Sequence, residues 1–262
     1  MKALAARRRH PAAFLLLLLV GLFVSGGAYA TLAPGGAQAD SGASTSDIQA
    51  GRQLFDANCA TCHGTNATGT KEGPSLVGVG AAAVDFQVGT GRMPMAEQNV
   101  QAPRGKKVQF DDRQTKQLAA YVASLGPGPS VPDAKYTETE GANLARGGDI
   151  FRTNCAMCHN YAGSGGALTR GKFAPPLRDI QGKHIYEAML TGPQSMPVFN
   201  DTNITPEEKR DVIAYMHEID KSHNVGGHSL GSFGPVADGY FLWLVAMPIM
   251  IGAAVWLGRK AA

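Results

Sequence analysis

Two Cys-x-x-Cys-His motifs constrain this chain more than any other feature, because together they use all four of its cysteines. Two thiols one helical turn apart can each form a thioether with a vinyl group of the same haem, while the adjacent histidine binds the iron. The sequence therefore predicts two covalently bound haem c groups, each with a histidine as proximal ligand. The residues of the two predicted sites are Cys59, Cys62 and His63, and Cys155, Cys158 and His159.

Other chemistries also use paired cysteines. A Cys-x-x-Cys pair occurs in dithiol redox sites and in zinc sites. A single zinc ion could take four thiolates from the two pairs, but neither histidine would then have a role. The histidine that ends both motifs favours haem attachment and leaves zinc and dithiol chemistry as the alternatives.

The sequence around the first motif is repeated around the second. Residues 51–55 (GRQLF) align with residues 147–151 (GGDIF), ahead of the two motifs. Residues 117–122 (QLAAYV) align with residues 211–216 (DVIAYM) near the end of each unit. Their apolar side chains recur at helical spacing, which predicts a pair of helices in each unit. The chain therefore contains two tandem copies of one domain.

Each unit resembles a small class I cytochrome c domain, and this resemblance covers most of residues 47–221. It implies that a methionine followed by proline is the distal iron ligand, which assigns Met93 to the first haem and Met196 to the second. Met95 lies two residues beyond Met93 and is an alternative for the first iron. Pro74 and Pro175 resemble the family's proline, whose carbonyl oxygen accepts a hydrogen bond from the proximal imidazole.

No residue of the chain is predicted to be catalytic. An iron with histidine and methionine ligands has no open position for a substrate, so the predicted chemistry is electron transfer. The spacing of four further histidines is not typical of a metal site. They are His184, His217, His223 and His228. The net charge of +3 comes from the basic ends of the chain, so it does not indicate nucleic-acid binding.

The two ends of the chain are apolar. Residues 2–9 are basic and are followed by an apolar run at 12–24, which is typical of a secretory signal or a retained anchor. Near the other end, Tyr240 to Leu257 carries no charge and precedes Arg259 and Lys260. This pattern predicts a membrane helix with the C-terminus in the cytoplasm and the haem domains outside. A buried core helix is the alternative for this segment.

The resulting fold class is all-α, with two tandem class I cytochrome c domains, a C-terminal transmembrane helix and an N-terminal signal or anchor helix. Segments rich in Gly, Ser and Pro separate the parts and predict linkers. The predicted boundaries are 1–33 for the signal or anchor, 34–46 for a linker, 47–125 for domain 1, 126–139 for a Pro/Gly linker, 140–222 for domain 2, 223–239 for a linker, 240–258 for the membrane helix and 259–262 for the tail.

The whole chain resembles the dihaem cytochrome c subunits of actinobacterial quinol:cytochrome c oxidoreductases. The resemblance rests on the tandem motifs, the basic and apolar N-terminus, and the terminal apolar helix. It implies partners: a cytochrome b subunit, a Rieske iron-sulfur protein that supplies electrons, and a haem-copper oxidase that receives them. A free-standing membrane-anchored dihaem carrier, or a dihaem enzyme such as a peroxidase or thiosulfate dehydrogenase, is the alternative.

Overall fold

The computed structural model describes residues 11–32, 43–105, 107–221 and 235–261. The basic segment 2–9, most of the first predicted linker (34–42) and most of the last one (223–234) lie outside the described residues. The described part is mostly helical and contains one two-stranded antiparallel ribbon. Its helices are α1 (Pro11–Leu32), α2 (Thr45–Asn58), α3 (Ala60–His63), α4 (Gly80–Gly89), α5 (Asp112–Ser124), α6 (Leu144–Asn154), α7 (Ala156–His159), α8 (Gly182–Thr191), α9 (Pro206–Lys221), α10 (Pro235–Phe241) and α11 (Met247–Ala261), and its strands are β1 (Gly166–Ala167) and β2 (Phe173–Ala174).

The first domain is built on the crossing of α2 and α5. Phe55 and Tyr121 face each other across this crossing with ring centroids 5.2 Å apart. The helices touch at Gly51, where a Cβ atom would overlap the carbonyl oxygen of Gln117. Asp111 caps α5 by accepting a hydrogen bond from the Gln114 amide at 2.8 Å, which satisfies a backbone donor that the helix leaves free. The predicted helix pair of the first repeat is confirmed.

The second domain repeats this crossing with α6 and α9. Gly147 takes the place of Gly51, because a Cβ atom there would overlap the carbonyl oxygen of Asp211. The buried Asp211 carboxylate accepts a hydrogen bond from the Asn143 amide at 2.8 Å and forms an ion pair with Arg146, which fixes the start of α6 against α9. Phe151 and Ile213 are fully buried in the core between the two helices.

The two domains contact each other through α4 and α8, which the sequence pattern had not predicted. Phe86 of α4 meets the ring of His184 edge-on, with centroids 6.2 Å apart. The segment between the domains also packs: the Ala82 amide donates to the Pro129 carbonyl at 3.1 Å, and Tyr136 stacks on Tyr186 of the second domain. The two domains are therefore joined by packed side chains as well as by the chain.

The C-terminal apolar segment is one long helical stretch. Val236 to Lys260 is long and apolar enough to cross a membrane, and none of its apolar window is buried. This exposure contradicts the alternative of a core helix. A π-helical turn at Leu242–Ala246 precedes Pro248, whose ring and missing N–H disturb the regular hydrogen-bond ladder of the turn before it. At the other end, α1 contains a shorter apolar segment at 12–28.

Candidate functional site: two haem attachment sites

The first attachment site is formed where α2 turns into α3. Cys59 ends α2, and α3 then places Cys62 one helical turn further on, with His63 beside it. The His63 Nδ1 atom donates to the Pro74 carbonyl at 2.8 Å, as the resemblance implied. Because Nδ1 carries the proton of this bond, Nε2 is the nitrogen left to bind a metal. Met93 packs against the same apolar core as Cys59.

The second site has the same construction. Cys155 ends α6 and α7 carries Cys158 and His159. The His159 Nδ1 atom donates to the Pro175 carbonyl at 2.9 Å, which again leaves Nε2 available. Burial lowers the pKa of His159, so its imidazole is neutral at physiological pH, the form that binds metals. Both prolines were correctly predicted as partners of the imidazoles.

An apolar cavity opens beside the second motif. Cys155, Cys158, His159 and Met196 all line it, together with apolar side chains of the domain core. A concave apolar space that gathers two thiols, an imidazole and a thioether fits a haem. Met216 lines this cavity too, and the sequence pattern had marked it only as the end of the repeat.

The cysteines are available for haem attachment. All four are free of disulfides. Burial raises the pKa of the Cys59 and Cys155 thiols to about 11, so they are not the low-pKa thiolates of a dithiol redox site. Cys59 and Cys155 also pack against separate cores, which does not suit a single zinc ion bound by both pairs. Two covalent haem c groups are therefore the cofactors of this chain.

The first domain supplies part of the second cavity. Phe86, Arg92 and Arg104 belong to the first domain and line the cavity of the second. Gln101 fixes this wall, because its side-chain amide donates to the Phe173 carbonyl at 2.7 Å and its oxygen accepts from the Phe173 amide at 2.9 Å. Burial and the charge of Arg104 lower the pKa of Arg92 to about 10. The repeat alignment could not find these residues, because they act across domains.

A buried polar cluster lies beside this wall. Asp85 of the first domain meets His184 and Glu187 of the second, and all three side chains are buried. His184 donates to Glu187 at 2.9 Å, while Lys183 pairs with Asp85 at 2.6 Å. Burial, followed by the hydrogen bond and charge of Asp85, raises the pKa of Glu187 to about 10, and burial lowers that of His184 to about 4. A neutral Glu187 can then share its proton with the Asp85 carboxylate.

Replacing Glu187 with glutamine is expected to remove part of the pH dependence of stability. The pKa of Glu187 is higher in the folded protein than in the unfolded chain, so its contribution is complete below about pH 4.5 and is lost as the pH rises towards 10. Glutamine keeps the donor and the acceptor without the proton. Between pH 6 and 9 the melting temperature of Glu187→Gln should therefore fall less than that of the parent protein.

The matched control for this measurement is Glu218→Gln, which changes an exposed carboxylate on α9. Its melting curve should keep the pH dependence of the parent. If Glu187→Gln and the parent lose stability equally with rising pH, Glu187 is ionised in the folded protein. The interpretation that it shares a proton with Asp85 is then wrong.

Family models match both halves of the chain. A model described as "Cytochrome c" matches residues 48–126, and one described as "Cytochrome C oxidase, cbb3-type, subunit III" matches residues 142–216. These two ranges contain the two attachment sites, one in each. The chain is also 31% identical over 144 residues to the Rhizobium meliloti protein named Cbb3-type cytochrome c oxidase subunit FixP, a match that covers 50% of this chain and 44% of that protein.

Longer similarities cover nearly the whole chain. The chain is 45% identical over 253 residues to the Mycobacterium tuberculosis protein named Cytochrome bc1 complex cytochrome c subunit, covering 94% of this chain and 90% of that protein. It is 42% identical over 281 residues to the Corynebacterium diphtheriae protein of the same name, covering 99% of each. The similarity thus includes both domains and both apolar ends.

Proposed function

We propose that this chain, which belongs to the family of cytochrome bc1 complex cytochrome c subunits, passes electrons from a Rieske iron-sulfur protein to a haem-copper cytochrome c oxidase. It would do so as a membrane-anchored subunit of a quinol:cytochrome c oxidoreductase that also contains a cytochrome b. Each haem, when bound, supplies a site that takes up and releases one electron. The observation that carries the proposal is the pairing of two such sites in domains that touch through α4 and α8.

The axial ligands belong to this proposal. We assign His63 and Met93 to the first iron, and His159 and Met196 to the second. Each histidine is oriented by a proline carbonyl, and each methionine packs against the apolar core of its own domain. With a histidine and a methionine as ligands, neither iron would have a position for a substrate, so the chain itself would carry no catalytic residue and the oxidoreductase reaction would belong to the complex.

The surface of both sites suits exchange with a partner. Each motif has one exposed residue between its cysteines, Thr61 in the first and Met157 in the second, and 93% of the Met157 surface is accessible. A haem attached to either motif would therefore have an exposed side chain beside its attachment points. This arrangement favours transfer of electrons between proteins over chemistry on an enclosed substrate.

The C-terminal helix supports a proposal for the orientation in the membrane. Trp243 and Trp256 lie near the two ends of the apolar stretch, where aromatic side chains prefer the membrane interface. Arg259 and Lys260 follow it, and positive residues favour the cytoplasmic side. We therefore propose a C-terminus in the cytoplasm and haem domains on the extracytoplasmic side of the cell membrane.

Purification of the tagged chain from its native membrane in mild detergent tests the proposed complex. We expect haem b, an iron-sulfur protein and copper to accompany the tag, and added quinol to reduce the haem c of the preparation. The same tag on an unrelated membrane protein is the control. Recovery of this chain with haem c alone would contradict the complex and favour a free-standing carrier, while a haem that binds carbon monoxide in the parent protein would favour an enzyme.

A further inference from the structure

The charges around the second cavity are distributed unevenly between the domains. Among its lining residues, the lysine and arginine side chains are Arg92 and Arg104, both from the first domain, and no aspartate or glutamate is present. The second domain surrounds the cavity mainly with apolar side chains and with its cysteine, histidine and methionine ligands. The positive charge of this cavity is therefore supplied by the neighbouring domain.

The two arginines lack carboxylate partners. Within the described residues, no ion pair joins either guanidinium to an aspartate or glutamate. Arg92 instead lies over the ring of Phe86, 4.6 Å from its centroid. Arg92 is partly buried and Arg104 is exposed, and the planar fork of either guanidinium matches the two oxygens of a carboxylate. The wall that carries the arginines thus offers a carboxylate site that faces the cavity.

The segment that carries Arg104 is held firmly against the second domain. Besides the paired hydrogen bonds of Gln101 with Phe173, the Ala102 amide donates to the Gln194 side chain at 3.4 Å. Gln194 lies two residues before Met196, so this contact joins the wall to the loop that carries the proposed distal ligand. The backbone of Arg92 is held by a hydrogen bond, which its amide donates to the Gln87 carbonyl at 2.9 Å.

We propose that Arg92 and Arg104 bind the propionate carboxylates of the second haem, so that this haem is held covalently by one domain and electrostatically by the other. Haem carries two propionates, and burying them without partners would be costly. Two guanidiniums at the cavity wall offset that cost. This inference rests on the haem of the proposed function occupying this cavity with His159 and Met196 as its ligands.

A positive charge near a haem favours its reduced form, because the added electron is attracted to it. Replacing Arg104 with glutamine should therefore shift the reduction equilibrium of one haem about tenfold towards the oxidised form, which is about 59 mV for a one-electron couple. Arg104→Lys, which keeps the charge, should retain most of the parent potential. Arg92→Gln should act in the same direction, and the double variant should show the larger change.

Potentiometric titration of the full chain in detergent measures both haems. The affected haem must be the one whose potential also responds to Met196→Leu. The control is Arg113→Gln, which changes an exposed arginine of the first domain and should shift the potential of neither haem. An Arg104→Gln variant that leaves both potentials unchanged, or that shifts the other haem alone, overturns the inference. Absence of a methionine-ligated, low-spin spectrum in the parent would instead show that the proposed ligation has failed.

Discussion

Gly147→Ala is expected to destabilise the second domain by about 3 kcal/mol, the upper end of the range for overpacked positions. Its added methyl group would overlap the carbonyl oxygen of Asp211 in the facing helix. The backbone of α9 cannot move aside as a side chain can, so α6 and α9 must separate. The separation would also loosen the anchoring of α6 by Asp211 and disturb the end of α6, where Cys155 lies.

The neighbouring glycine provides a matched control. The atoms nearest to a Cβ atom on Gly148 belong to the Tyr215 ring and the end of the Arg152 side chain, and side chains can adjust where a backbone cannot. Gly148→Ala gains the same helix propensity as Gly147→Ala and should cost much less. Urea unfolding followed by the absorbance of the haems is the measurement. Equal midpoints for the two variants would mean that the helices do not approach each other at Gly147.

Met196→Leu is expected to lower the potential of one haem by on the order of 100 mV, within the approximately 0.8 V range that axial ligands cover. Leucine has nearly the volume of methionine, so the core around this position is kept while the sulfur is lost. The affected haem should become high-spin and should bind carbon monoxide. Potentiometry and the visible spectrum of the reduced protein measure both changes.

Two methionines of the first domain, Met93 and Met95, allow the same measurement to identify the ligand of the first haem. Met93→Leu should change the other haem in the same way, whereas Met95→Leu should leave both spectra unaltered. If Met95→Leu removes the sulfur ligand and Met93→Leu does not, the distal assignment of the first haem must be exchanged. Leucine variants at Met93 and Met196 without any spectral change would refute sulfur ligation at both irons.

Local sequence patterns were sufficient for the attachment sites. The cysteine spacing depends on one helical turn, and the histidine follows directly, so these residues are brought together by the local fold. The repeat then located the crossing helices, because Gly51 aligns with Gly147 and each meets the facing helix at an aligned residue. Even the proline partners of the imidazoles were available from the sequence through the resemblance.

The contact between the domains could not be predicted in this way. Asp85 comes from a part of the first domain for which the repeat gave no partner, and its neighbours Lys183, His184 and Glu187 lie far along the chain. His184 and Glu187 are three residues apart on α8, but that spacing is common on helix surfaces and carries no signal without Asp85. Only the packing of α4 on α8 brings these groups together.

The shared wall of the second cavity also bears on how such a chain can change by evolution. A tandem duplication begins with two interchangeable copies, either of which can be deleted. Once Phe86, Arg92 and Arg104 of the first copy enclose the cavity of the second, deletion of the first copy would expose that cavity to water. The two copies are then inherited as a single unit, and substitutions in one are selected for their effect on the other.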